Sequence, residues 1–227
     1  MASNALLALF TGLVEVQDLQ RANPTPRGGI SMRPRVTRAI NRASVVMLSS
    51  HLEKYLHAVN EEATMLLNSV PISATRLPDI MKLQHSQQPI TQLSATQWDN
   101  RAAHLTAFAS GDGWLWSNGT GQLAHERLIM WMKTPKTRRI ARLFRLWGIA
   151  DIFAEITRSQ LTRQRLVLKL DELVEKRNNI AHGDIHVDAT PTDLTEYRQR
   201  VSEFCSRADR RLARVLVRQF GVGCGWY

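Results

Sequence analysis

Between Arg35 and Ser69 the chain contains neither glycine nor proline. Along that stretch Val46, Leu48, Leu52, Tyr55, Leu56, Val59 and Leu66 recur at helical intervals as core positions. An unbroken run with this period predicts one long helix, long enough to allow a kink. A rod of that kind must bury its apolar stripe against other elements. Two later runs supply partners. Residues from Ser159 to His182 carry Leu166, Leu170, Leu173 and Val174 on one stripe. Those from Pro191 to Phe220 carry Leu194, Tyr197, Val201, Phe204, Ala208, Leu212, Val215 and Leu216 on another. Thr190 or Thr192 can cap the last helix, and Pro191 suits its first turn. Shorter helices are expected at 4–22, Thr137–Trp147 and Asp151–Thr157, so the fold class is all-α.

Punctuation in the chain divides it. Asn23-Pro24-Thr25-Pro26-Arg27-Gly28-Gly29 reads as a linker. Residues 1–29 are therefore expected to be an N-terminal helical arm with its linker, an appendage or a dimer contact, and residues 30–227 the main helical domain. With 227 residues, 44% of them hydrophobic, one domain with a sizeable core is expected. Pro71, Pro78, Pro89 and the stretch from Gly111 to Gly121 mark residues 71–135 as an insertion of short helices and loops. Clustered glycines can cradle an anion, but this stretch lacks the Gly-Lys-Ser/Thr ending of a nucleotide loop. Trp114 and Trp116 within it either stack on bases or, the better reading, anchor the loop to the core. His104 and His125 have no metal partners or acid–base neighbour at recognisable spacing.

A formal charge of +10 and an isoelectric point near 10.4 favour an anionic partner. Nucleic acid fits best, because phosphate neutralisation releases counterions and gives affinity without sequence preference. Arginine greatly outnumbers lysine, which suits bidentate phosphate contacts. On the last helix Arg198, Arg200, Arg207, Arg210, Arg211, Arg214 and Arg218 occupy positions off the apolar stripe. They are either a solvated face or a guide for an RNA backbone. Cys205 and Cys224 show no metal-ligand spacing, and Cys205 falls on an apolar stripe, as a buried free thiol does. The chain is expected to be reduced, soluble and cytoplasmic. Its apolar run Ala5–Phe10 lacks a basic lead and stops at Glu15 and Asp18, too short for a membrane span.

The chemistry concentrates in Arg177-Asn178-Asn179-Ile180-Ala181-His182, followed by Gly183. A guanidinium can brace a phosphate whose charge grows in a transition state. An imidazole can pass protons to or from ribose oxygens. On a regular helix Arg177 and His182 lie roughly 140° apart. They converge on one phosphate only if the helix loosens near Gly183 or a second copy brings its own pair across a two-fold axis. The plainer alternative is a helix end whose cations answer the helix dipole.

The string from Leu173 to Asp184 resembles the signature of the HEPN superfamily. Its ribonucleases carry an arginine, usually a polar residue after it, and a histidine four to six intervening positions on. Arg42–Leu56 resembles the long first core helix of the RiboL-PSP subgroup, and Arg142–Ile152 the segment before its motif helix, so the likeness spans roughly residues 35–220. The resemblance implies an HEPN-like helical bundle. It also implies a metal-independent endoribonuclease working at a homodimer interface, with ribose 2′-hydroxyl attack leaving a 2′,3′-cyclic phosphate and a 5′-hydroxyl. Carried over by position, Arg177 and His182 are the catalytic pair and Asn178 the polar residue that orients the motif or contacts phosphate. No cofactor or metal is implied. Glu53 is a weaker candidate for support, better read as a helix-surface carboxylate. The implied context is a toxin or antiviral-defence effector held by an antitoxin or sensor protein. Against the enzyme stands a non-catalytic module binding RNA, a nucleotide or a partner protein.

Overall fold

The computed structural model describes residues 2–22 and 34–226. The expected linker at 23–29 lies outside them. Nine α-helices occur among the described residues: α1 (Asn4–Arg21), α2 (Pro34–Asn68), α3 (Asp79–Ala95), α4 (Arg101–Gly111), α5 (His125–Ile129), α6 (Thr137–Leu146), α7 (Ile152–Ile156), α8 (Gln160–Ala181) and α9 (Pro191–Arg218). A two-residue antiparallel pair, β1 (Ile72–Ser73) with β2 (Thr120–Gly121), completes the fold.

Helix α2 is the axis. Its glycine-free run forms a single α-helix, and Val45, Leu48, Leu52, Tyr55, Leu56, Val59, Ala63 and Leu67 are buried along it. Two core positions slip by one residue from the expectation, because Val45 and Leu67 point inward while Val46 and Leu66 are only half-buried. Each slip replaces an apolar residue by its apolar neighbour, which periodicity alone resolves poorly. Helix α9 runs beside α2 in the same direction, since Asn41 meets Ala189 and Tyr55 meets Cys205. Helix α8 runs back between them. All eight expected core residues of α9 are buried. Its start is a capping box, in which Thr190 Oγ1 accepts from Asp193 N–H and Asp193 accepts from Thr190 N–H.

Helix α1 buries Leu6, Leu9, Leu13 and Val16 in the same core. Its cap residue Ser3 donates through both N–H and Oγ to the buried carboxylate of Asp209 on α9. Phe204 joins the layers, edge-on to Phe144 at 6.1 Å and stacked on Phe153 at 5.4 Å. No helix among the described residues is long and apolar enough to cross a membrane.

Residues 71–135 hold short helices and loops around α3, which carries Pro89 inside it. The buried residues of α3, Met81 to Ser86, all precede that proline. Trp114 is packed against the core, and the glycines facing it serve that packing. A Cβ on Gly121 would lie 2.3 Å from the Trp114 ring, and one on Gly119 would lie 3.1 Å from its Cβ. Trp116 Nε1 donates to Ser86 Oγ at 3.1 Å. Trp114 thus fastens the insertion to the core, whereas Trp116, tied through its indole N–H, remains 47% exposed.

Candidate catalytic site at the end of α8

Helix α8 begins at Ser159, whose hydroxyl accepts from Thr162 N–H, and ends at His182 as its C-cap. Gly183 follows at φ +85°, with Gly183 N–H donating to Ile180 C=O and Asp184 N–H to Asn179 C=O. That pair of bonds is a Schellman motif, and the left-handed residue it requires is strained for anything with a Cβ. His182 is held by backbone geometry at a sharp stop, with its side chain exposed. Among the described residues its ring enters no hydrogen bond or ion pair.

Arg177 sits differently. Four, seven and eleven residues after Leu173, Leu170 and Leu166, it prolongs the buried stripe of α8 by one turn and is half-buried. Its Nη1 donates to Asn178 Oδ1 at 3.1 Å, which fixes the carboxamide and leaves the other guanidinium donors available. The helix persists through Ala181, so Arg177 and His182 keep the angular separation of about 140° that a regular helix gives. Within one protomer the motif is split between an inward and an outward face.

The loop after the motif is gripped by α2. Arg42 Nη1 donates to Asp184 C=O at 2.7 Å and Val187 C=O at 2.6 Å. Asn41 donates to Ala189 C=O at 2.8 Å, and Arg38 pairs with Asp188 at 3.3 Å. These positioning residues were invisible to sequence reasoning, because their partners lie some 140 residues away and no local spacing reports them. Glu53, half-buried on α2, forms no hydrogen bond or ion pair with Arg177, Asn178 or His182 among the described residues.

A polar seam locks α8 to α9. Tyr197, fully buried, donates to Glu172 Oε1 at 2.5 Å. Lys169 and Lys176 pair with that carboxylate at 2.9 and 3.5 Å and approach the Tyr197 ring at 5.8 and 5.6 Å. Lys176 also reaches Asp193, while Lys169 and Arg165 reach Glu196. Burial raises the Tyr197 pKa strongly, and its bond to Glu172 adds to the rise. For Glu172 burial acts upward, but hydrogen bonds from Tyr197 and Lys169 outweigh it and the carboxyl is lowered. Asp193 and Glu196 are lowered too, against burial, by bonds from Thr190 and from Arg165 respectively. Depressed folded-state values stabilise the fold above the ordinary carboxylate range, and that contribution disappears as pH falls through the folded pKa. Beyond the decline that His51 and His85, lowered by burial, add below about pH 6.5, thermal melts should therefore fall with these carboxylates below about pH 4.5. A Glu172→Gln variant should show a shallower acid decline than the parent.

The arginines of α9 are partly committed elsewhere. Arg200 and Arg207 pair with Glu203 at 2.6 and 2.8 Å, and Arg211 with Glu155 at 2.5 Å. Their charge is offset within the bundle, so the α9 face is less available to an anion than its sequence suggests. His104 is exposed on α4, and His125 Nε2 lies 3.1 Å from Glu126 and 3.8 Å from Glu61. Among the described residues no group of three or more His, Cys, Asp or Glu is placed to hold a metal ion.

Comparison with known proteins adds one positive finding. The pattern of the RiboL-PSP-HEPN family matches residues 13–214, which takes in α2, the insertion, the motif and most of α9. No curated protein and no solved structure gives a significant match.

Proposed function

Because the chain belongs to the RiboL-PSP-HEPN family, whose wider HEPN group is often ribonucleolytic, we propose that it is a metal-independent endoribonuclease. The observation that carries this reading is the complete motif at the capped end of α8. Arg177 is half-buried and tethered to Asn178, while the His182 ring is exposed and unengaged. Arg177 stabilises charge growing on the scissile phosphate, Asn178 orients the guanidinium, and His182 moves the proton. Attack by the ribose 2′-hydroxyl forms the new P–O bond and expels the 5′-oxygen, so one proton is removed and another delivered.

One histidine performs one of those transfers at a time, which makes a second copy the source of the other. Leu161, Leu168, Glu175 and His182 follow one another at seven-residue intervals and share one side of α8. Leu161 and Leu168 are 76% and 63% exposed there, a surface suited to a homodimer that juxtaposes two motifs. A cytoplasmic toxin or antiviral-defence effector, restrained by an antitoxin or sensor, is the context this chemistry fits.

Purified protein should cut RNA in EDTA and leave 2′,3′-cyclic phosphate and 5′-hydroxyl ends. DNA, lacking the nucleophile, should survive. Loss of cutting with chelator and its return with magnesium, or 5′-phosphate products, would overturn the chemistry. RNA binding without cleavage by an assembled dimer would favour the non-catalytic module.

A further inference from the structure

No aspartate or glutamate occurs between Glu126 and Asp151, a stretch that includes Lys133, Lys136, Arg138, Arg139, Arg142 and Arg145. Folding concentrates this charge. Ile140, Leu143, Phe144 and Leu146 turn into the core, which leaves Arg138, Arg142 and Arg145, spaced i, i+4 and i+7, along the outer face of α6. With Arg139 and Trp131 they line a cleft of about 500 Å³.

Two of the guanidiniums, those of Arg139 and Arg142, are held by neutral partners. Arg142 lies 4.4 Å from the Trp131 ring centroid and donates to the buried Gln84 Oε1 at 2.8 Å. Arg139 donates to Thr134 Oγ1 at 2.8 Å, and the indole of Trp131 is itself fixed by a bond to Leu128 C=O. Among the described residues none of the four arginines forms an ion pair. The carboxylate that does reach α6, Asp171 on α8, engages both oxygens with Thr137, through its N–H at 2.8 Å and its hydroxyl at 2.6 Å. Here α6 differs from the middle of α9, where Arg200 and Arg207 share Glu203 and Arg211 meets Glu155.

Stability does not account for the arrangement. The first turn of α6 has no acidic residue and carries two arginines, like charges at the positive end of the helix dipole. Asp171 meets the first amide of α6 but pairs with none of its arginines among the described residues, and like charges left unpaired along one outer face are what a functional surface shows.

Its position indicates what it serves. Asp171 anchors α6 to α8, and His182 lies eleven residues further on. On a regular helix that places them within about 20° of one another and roughly 16 Å apart along the axis. The contacts of Arg142 with Trp131 and Gln84 place the cleft itself between α6 and the insertion, with α6 tied to α8 at Thr137.

We propose that the cleft formed by Trp131, Arg138, Arg139, Arg142 and Arg145 is an exosite for the phosphodiester backbone of single-stranded RNA, holding the strand outside the motif at the end of α8. The proposal takes from the reading above only that the ligand is RNA. Uncompensated guanidiniums, two of them held in place, read phosphate through bidentate contacts and need no base sequence.

The test measures binding of a fluorescein-labelled RNA of about twelve nucleotides by anisotropy, in the His182→Ala background so that nothing is cut. Arg138→Gln/Arg145→Gln removes two guanidiniums that take no part in packing. Arg207→Gln/Arg211→Gln removes the same charge from α9 at guanidiniums already paired with carboxylates. The α6 pair should weaken binding about tenfold or more and flatten the slope of log affinity against log salt by about 0.7 per lost contact. The α9 pair should change affinity less than about threefold. Single-stranded DNA of the same sequence should compete, because phosphate rather than the 2′-hydroxyl is read.

Equal losses from both pairs would mean diffuse attraction and sink the exosite, as would an α6 pair that binds like the parent. A parent that ignores RNA at low salt would also overturn it and point to an acidic protein instead. With His182 restored, the α6 pair should raise KM and leave kcat unchanged. The binding result stands even if the chain never cleaves RNA, so the exosite and the nuclease reading fail separately.

Discussion

Replacing His182 with alanine should lower RNA cleavage by about 10² to 10⁴ fold, the range that general acid–base catalysis contributes. The substitution removes an exposed ring without hydrogen-bond partners among the described residues, so melting temperature and RNA affinity should stay near the parent's. Arg177→Ala should cost activity on a similar scale, because an unbraced phosphate must carry its growing charge alone. That variant also trims a half-buried side chain and frees Asn178 Oδ1, so a small loss of stability should accompany it. Arg177→Lys separates the roles, since an ammonium restores charge but not the fork that meets both carboxamide and phosphate. Rates measured on one RNA for all three variants decide the matter. If the alanine variants cut like the parent, the motif is a helix end and nothing more.

Tyr197→Ala should destabilise the protein by roughly 3–5 kcal/mol, as large aromatic truncations in cores do. The ring is fully buried between the motif helix and α9, and its hydroxyl is bonded to Glu172. Its loss also strips one donor from a partly buried carboxylate and removes the face against which Lys169 and Lys176 lie. Tyr197→Phe keeps the packing and loses only the bond to a charged acceptor, for which about 1.5–3 kcal/mol is expected. Denaturant melts of the two variants separate packing from hydrogen bonding. Equal costs would mean that the hydroxyl, not the ring, holds α8 against α9. Activity should fall with stability in both, because the same seam fixes the end of α8 where His182 stands.

Helix positions and ends were readable from local chemistry. Ser159 and Thr190 cap their helices through their own hydroxyls, Pro191 occupies a first turn where its missing donor costs nothing, and Gly183 takes the left-handed angle that stops α8. The phase of the α9 stripe was legible, since twenty-eight residues at one period leave little room for error, although the buried Asp209 and Ala213 were not foreseen. At two places in α2, Val45-Val46 and Leu66-Leu67, where apolar residues stand side by side, phase was lost by one position. The split between Arg177 and His182 was likewise a matter of angle along a single helix.

Angle, period and cap are properties of the sequence, and they determined an all-helical chain, its long rods, and the motif at the end of one of them. Only the tertiary structure decided which charges cancel. Arg200, Arg207 and Arg211 met carboxylates, while the α6 arginines, no more conspicuous in the sequence, met Trp131, Gln84 and Thr134. Arg42 found carbonyl groups more than 140 residues away. Local propensity acts over a few residues and is written in their order, whereas the pairing of surface charges and the grip on a loop depend on which helices come to lie side by side.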